Sequence, residues 1–356
     1  MSDRLRQLKN AVKFALSRLD GIFMPAAASS RLSSSIYYLI KGTFSREQHA
    51  VLSGRLAYKR SSSTPSLNSS LLRRNIHRLE KGLIMRPRRS PFALDYIGKT
   101  VDAYVAASSS VMDPQELTWA HDVIEEYMRI TPPHPVVDNY RKRFVEASAD
   151  LKKATCEITG GKRIPYARSV SDIPKVDYDD LLALARYRRS VRWFLPDTVP
   201  RSAIDRAIEV AAYSPTACNR QPYDFRIFDE PELVSKAITI PMGTSGFSHQ
   251  VPAVAIVVGK QRNYFSERDR HLIYVDGALA AMSFVYALEC QGISSCCINW
   301  PDIESLERKM ARFLRLDSDE RPIMLIAFGY ADPAGMVPSS AKKTNSTICK
   351  YNYECQ

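Results

Sequence analysis

The sequence has 356 residues, of which 45% are hydrophobic and 25% are charged, an ordinary composition for a globular protein. Residues 1–90 contain 18 Lys and Arg against 4 Asp and Glu, a net charge of +14, whereas residues 91–356 carry −2. The seven Cys are odd in number and scattered, so they indicate neither a disulfide framework nor a zinc site. We therefore expect a cytoplasmic protein of two or three domains with reduced thiols.

Residues 1–65 form the first predicted unit. Within the first twenty residues Leu5, Leu8, Val12 and Leu19 recur at helical spacing among basic side chains, the pattern of a helix that lies in a membrane interface. This start lacks the uninterrupted apolar core of a signal peptide. Two interpretations stay open: the segment contacts an anionic membrane at its inner face, with nucleic acid disfavoured, or it is a solvated lead-in, ending in a Ser-rich linker at 61–65.

Residues 66–170 are predicted to be a helical region, and the polar residues 161–177 to connect it to the C-terminal half of the chain. In this region His77 and Glu80 share a helix face, and Arg86, Arg88 and Arg89 lie shortly after them. The motif is either a charged helix surface or a lid whose arginines hold an anion. The helices are expected at residues 71–83, 93–107, 114–130 and 136–154.

From residue 178 helices and strands alternate. The apolar runs at 254–258 and 324–328 are typical of strands covered on both faces. The longest apolar run, 277–288, is too short to span a bilayer and predicts a buried helix. Strands are expected at 224–228, 253–258, 294–298 and 323–330, and helices at 178–187, 201–212, 231–237, 271–291 and 303–314.

Two motifs in this part could carry chemistry. The first, Y-R-R-S-V-R-W-F at residues 187–194, is called the arginine segment below. Its three guanidinium forks match phosphate oxygens, but a solvated basic helix end would look the same.

The second motif is S-P-T-A-C-N-R-Q-P-Y-D-F at residues 214–225, and its part before the strand, 214–222, is called the amide loop. Asn219 and Gln221 carry both donors and acceptors, which the edge of a flavin ring requires. An ordinary turn, with side chains bonded to their own backbone, is the alternative. No His or Asp partner marks Cys218 as a nucleophile.

In this order and spacing the two motifs resemble the opening of the nitroreductase family, and the similarity extends over residues 178–356. The resemblance implies an α+β, nitroreductase-like three-layer sandwich with a central mixed sheet flanked by helices, preceded here by a helical N-terminal region. It also implies a homodimer with flavin mononucleotide (FMN) at the interface. Trp193 and Tyr223 depart from the residues common in the family.

The resemblance carries roles over to individual residues. It implies that Arg188, Arg189 and Ser190 contact the phosphate and ribityl chain, and that Arg192 lies near N1 and O2 of the ring. A second group is implied to reach the cofactor from the partner subunit: Ser214, Pro215, Thr216, Asn219 and Gln221. Backbone amides around Ile298 and Asn299 would face N5, and Lys342 and Lys343 would lie on the phosphate.

The implied function is an FMN-dependent oxidoreductase that takes hydride from NAD(P)H as co-substrate and passes electrons to a small-molecule acceptor. No side chain stands out as a general acid, because in such enzymes the flavin carries the chemistry. One alternative is flavin-dependent modification of a carbohydrate or other metabolite linked to surface-polysaccharide synthesis. Another is a non-catalytic scaffold with a vestigial flavin site.

Overall fold

A computed structural model of the protein describes residues 20–63, 69–109, 112–154 and 161–352. Helices fill the N-terminal part: residues 20–28 are helical, and α1 (Arg31–Lys41) and α2 (Ser45–Ser63) come next in the chain. The predicted linker is wrong at residues 61–63, which belong to α2 because that helix is held by packing, with Ala50 and Tyr58 buried. The predicted amphipathic helix in residues 1–19 lies outside the described residues.

Helix α2 docks on the C-terminal half through a close approach at Gly54. A Cβ atom at this position would lie 2.5 Å from Cβ of Gln261, so no larger residue fits without a shift of the backbone. Arg46 at the start of the same helix bonds to Asp302, with Nε at 3.0 Å from Oδ1. The N-terminal helices are therefore part of the packed structure.

Four helices form a separate bundle, confirming the predicted helical region. They are α3 (Ser69–Leu83), α4 (Ile97–Ser108), α5 (Pro114–Ile130) and α6 (Pro135–Ala154). Asp113 accepts from the amide of Gln115 and caps α5, as the Asp-Pro pair predicts. Ile76, Val101 and Ile124 are fully buried in a core that belongs to the bundle alone.

After an irregular connection the chain forms a sheet domain, whose element types agree with the sequence predictions. Its strands are β1 (Tyr223–Phe228), β2 (Ala253–Lys260), β3 (Ser294–Asn299) and β4 (Glu320–Gly329). Its helices are α7 (Tyr178–Tyr187), α8 (Arg201–Ala212), α9 (Pro231–Ile238), α10 (Leu272–Glu289), α11 (Glu304–Leu314) and the short α12 (Asn345–Ile348).

The sheet lies between two helical layers, which is the expected three-layer α+β sandwich. Strand β2 shows why: Val254, Ile256 and Val258 pack with α9 and α11, while Ala255 and Val257 pack with α8 and α10. Successive side chains of a strand point to opposite faces. The near-continuous apolar pattern therefore reflects burial on both sides.

Strand order is β1-β2-β4-β3, and each neighbouring pair is antiparallel. The four named strands thus form an antiparallel sheet and not the mixed sheet that was expected; a parallel bridge outside these strands joins Ser190 to Ser295. This bridge places the arginine segment against β3, one edge strand, while the amide loop leads directly into β1, the other edge strand.

Helix α10 is the buried helix predicted from the apolar run. Within the described residues, the stretch Glu267–Glu289 is the one helical span whose length and composition would allow it to cross a membrane, and about half of it is buried. Its inner side, including Ala280 and Phe284, packs on the sheet. It serves here as a core helix of the sandwich.

Candidate functional site

The second half of the arginine segment is fixed to the sheet by two backbone hydrogen bonds, one at Val191 and one at Leu195, the residue that follows the segment. The amide of Val191 donates to the carbonyl of Ser295 over 3.0 Å. Further along the segment the amide of Leu195 donates to the carbonyl of Tyr330 over 2.8 Å, and the side chain of Phe194 is buried. The backbone between these anchors is thus held in place beside β3.

The guanidinium groups of this segment have no acidic partners in the part of the chain that the structure describes. Among the described residues, no carboxylate forms an ion pair with Arg188, Arg189 or Arg192, although many other arginines of the domain are paired. Arg189 donates from Nη1 to the carbonyl of Arg188 at 2.9 Å, and Arg192 donates weakly to that of Ser190 at 3.3 Å. Positive charge with free donors on a fixed backbone is suited to an anion such as phosphate.

Buried titratable groups on β3 and α10 lie within the field of these arginines. Burial raises the pKa of the Cys296 thiol, while the charges of Arg192 and Arg188 act in the opposite direction. Burial likewise raises the pKa of Glu289, which the hydroxyl of Ser294 and the charge of Arg188 oppose. The charges of Arg188 and Arg192 therefore act on the buried groups at this end of α10.

The amide loop has a different construction, because its polar groups bond within the protein. The hydroxyls of Ser214 and Ser283 are 2.7 Å apart, and the amide of Gln221 donates to Oγ1 of Thr216 over 3.1 Å. Gln221 also donates from Nε2 to Oδ1 of Asn219 at 3.1 Å. The loop is tightly internally bonded.

Three residues of this loop adopt a left-handed backbone: Cys218 at φ 54°, Asn219 at φ 51° and Gln221 at φ 47°. Such conformations are unfavourable for residues with a side chain and persist only where surrounding contacts impose them. Two of the three, Asn219 and Gln221, are residues that the family resemblance implies contact a flavin. Such strain is a property of functional loops more often than of ordinary turns.

Asp276 makes one of the contacts that hold the loop in this strained backbone conformation. Its buried carboxylate accepts from the amide of Ala217 at 3.0 Å and from the hydroxyl of Tyr264 at 2.9 Å. Burial raises the pKa of Asp276, and these two hydrogen bonds together with the charge of Arg220 oppose the rise. Asp276 is not among the site residues predicted from the sequence, although an acidic residue at the edge of an apolar run is a usable signal.

The predicted site residues fall into separate groups. Ile298 and Asn299 lie on β3, at the same sheet edge as the arginine segment. The amide loop meets α10 between Asp276 and Ser283, whereas the arginine segment lies near Glu289 at the C-terminal end of this helix. Lys342 and Lys343 are exposed on the tail beyond β4. Within one chain the structure does not bring the two motifs together.

No metal centre accompanies these groups: within the described parts of the chain, no cluster of three or more His, Cys, Asp or Glu residues could hold a metal ion.

Fold and site together define an α+β sandwich domain with a segment suited to bind an anion at one end of its central helix. Residues 185–243 and 240–330 match the sequence model of the nitroreductase family. Residues 185–330 therefore form a nitroreductase-like domain, which supports an oxidoreductase.

Several solved structures are similar to this chain over about half of its length. An FMN-dependent nitroreductase from Clostridium difficile R20291 is 16% identical, with 48% of this chain and 99% of that chain covered, at a TM-score of 0.43. A nitroreductase family protein from Streptococcus pneumoniae TIGR4 is 23% identical, with 48% and 99% covered, at 0.42. A nitroreductase-like protein from Streptococcus mutans is 18% identical, with 49% and 98% covered, at 0.43.

Proposed function

We propose that the protein is an FMN-dependent oxidoreductase that uses NAD(P)H and reduces a small-molecule acceptor. The observation that carries this proposal is the arginine segment: three guanidinium groups without carboxylate partners among the described residues, held beside β3 in a nitroreductase-like domain. When bound, FMN would supply the hydride and electron transfer. The protein's own groups bind it, orient it and set its electrostatic surroundings.

The residues present fit this cofactor. Arg188, Arg189 and Ser190 offer donors for a phosphate and a polyol chain. Arg192 would favour negative charge developing on the ring: a cation about 4 Å away contributes up to about 4 kcal/mol at an effective dielectric near 20. Ser295, the bridge partner of Ser190, has a buried hydroxyl with no hydrogen-bond partner among the described residues, a group that a bound ligand can satisfy.

The second part of the proposal is a homodimer. One side of α10 is apolar yet exposed: Val275, Leu279 and Met282, at helical spacing, keep 52%, 44% and 36% of their surface accessible. A second copy that covers this stripe would bring its amide loop towards the arginine segment of the first chain. This arrangement is supported by the different positions of the two motifs on α10 within one chain: the amide loop contacts the helix between Asp276 and Ser283, and the arginine segment lies near its end at Glu289.

A peripheral membrane contact is proposed for the basic N-terminal region, which would place the protein at the inner face of the membrane. Helix α1 has no buried residue, and Leu32, Leu39 and Ile40 are exposed on it. Apolar side chains next to a strongly basic segment are suited to an anionic bilayer surface. Vesicles of anionic lipid should retain the full chain at low salt and release it at high salt, whereas a chain that starts at residue 66 should not bind.

The absorbance spectrum of the purified protein tests the central proposal. We expect the bands of a bound flavin, and FMN as the flavin released on denaturation. Release of flavin adenine dinucleotide, or no flavin after reconstitution, would contradict the proposal.

Anaerobic titration with NADH and with NADPH tests the electron donor. Rapid bleaching of the flavin bands by either nucleotide supports the NAD(P)H-dependent activity. Slow or absent bleaching of a flavin-loaded protein would favour flavin-dependent chemistry that starts from another metabolite, or a domain without catalysis.

A further inference from the structure

One side chain of the helical region reaches the amide loop. Arg73 on α3 donates from Nε to the backbone carbonyl of Asn219 over 2.8 Å. Its Nη1 pairs with Oε2 of Glu116 on α5 at 2.8 Å, and both side chains are largely buried. The guanidinium group thus connects the core of the bundle with the backbone of the loop.

Arg73 is held in position from its own side of this contact. Its guanidinium lies 5.5 Å from the ring centre of Trp119, and the indole of Trp119 donates to Glu80 over 2.9 Å. These partners belong to α3 and α5, whose buried core contains no residue of the loop. The helical region therefore fixes Arg73, and Arg73 in turn fixes the loop.

The contact falls where the loop needs support. Asn219 has a left-handed backbone, and its side chain also accepts from Gln221. A charged donor on its carbonyl orients the adjoining peptide group, and hydrogen bonds to charged groups are stronger than neutral ones. Asp276 holds the loop at Ala217 from inside the sheet domain, so Arg73 is the matching restraint from the helical region.

We infer that Arg73 is a positioning residue for the candidate flavin loop, and that residues 69–154 are part of the site's architecture. This inference rests on the proposed function, because FMN is the ligand that the loop would contact. Displacement of Asn219 and Gln221 would change both the affinity for FMN and the reduction potential of the bound cofactor. A role limited to attaching the helical region would leave the potential unchanged.

The test compares Arg73→Ala with Arg74→Ala. Arg74 is the neighbouring residue and stacks on Phe265 of the sheet domain at 4.7 Å, without bonding to the amide loop. We expect Arg73→Ala to weaken FMN binding, measured by flavin fluorescence, at least about tenfold and to shift the midpoint potential. Arg74→Ala should stay within about threefold, with the potential of the wild type.

A double variant separates loss of the Arg73 contact from misfolding caused by an unpaired buried charge. Arg73→Ala leaves the carboxylate of Glu116 buried and unpaired, which is costly. Arg73→Met combined with Glu116→Leu removes both charges, and such paired replacement is often tolerated. It should show the same loss of affinity and shift of potential as Arg73→Ala.

Amide hydrogen exchange of the flavin-free protein separates the two proposals. If the wild type binds no FMN, the proposed function fails, but exchange at residues 216–221 still reports on the loop. Faster exchange there in the double variant than in Arg74→Ala supports the positioning role. Unchanged exchange, or unchanged affinity and potential in a protein that binds FMN, would overturn it.

Discussion

The three guanidinium groups of the arginine segment have no carboxylate partner among the described residues, whereas the amide loop is bonded from several sides. Asp276 and Arg73 hold its backbone, and its own side chains bond to one another. The difference indicates two ways of preparing a ligand site. One motif keeps donors free on an anchored backbone, and the other fixes a strained backbone with internal bonds. Substitutions in the loop should therefore affect folding, and those in the segment should affect binding.

The largest effect is expected for Asp276→Ala. The change leaves the amide of Ala217 and the hydroxyl of Tyr264 without a partner, at a cost of about 1–3 kcal/mol each. We expect the free energy of unfolding, measured with urea, to fall by about 3 kcal/mol. Asp276→Asn keeps one acceptor oxygen, so its free energy of unfolding should fall by less. Equal stability of wild type and Asp276→Ala would show that the loop is not held by this residue.

Separation of the two motifs along α10 leads to the second prediction. Leu279→Asp puts a charge into the proposed dimer interface and should raise the dimer dissociation constant at least about thirtyfold, equivalent to about 2 kcal/mol. Flavin content should fall with it. Val170→Asp changes an exposed valine of the domain connection and serves as the control. Sedimentation equilibrium measures the dimer dissociation constant of each protein. A wild type that is monomeric with full flavin content would contradict the proposed dimer.

Replacement of Arg188 and Ser190 by Ala tests the arginine segment, where we expect an effect on binding and not on folding. The affinity for FMN in calorimetric titration should fall at least about tenfold, because phosphate contacts are lost. The free energy of unfolding of the flavin-free protein should change by less than about 0.5 kcal/mol, because Arg188 has no ion pair with a described residue to lose. Unchanged affinity would show that these two residues do not bind the phosphate.

The smallest effect concerns pH. Burial raises the pKa of Glu289 above its ordinary value of 4.5, so the folded protein binds this proton more tightly than the unfolded chain. The stability that results is complete below pH 4.5 and is lost as the pH rises through the folded-state pKa. The wild type should lose stability relative to Glu289→Gln in this window. Arg188→Ala removes an opposing charge and should extend the window to higher pH; thermal unfolding at a series of pH values measures both.

The sequence determined the element types of the sheet domain, because apolar periodicity and turn residues are local signals. Helices α5, α7 and α8 have the predicted bounds, and the apolar runs became strands buried on both faces. The two motifs of the candidate site were also evident, since their residue types are specific. The Ser-rich end of α2 was mispredicted, because its docking on the sheet domain outweighs weak helix propensity.

Only the tertiary structure decided which groups hold the site together. Asp276 lies far along the chain after the loop that it supports, and Arg73 lies still further before its partner Asn219. No local pattern links such residues, because contacts between distant parts of a chain depend on how complete helices and strands pack. The free state of the arginines is likewise a tertiary fact: the sequence shows their charge, and the fold decides that no described carboxylate neutralises them.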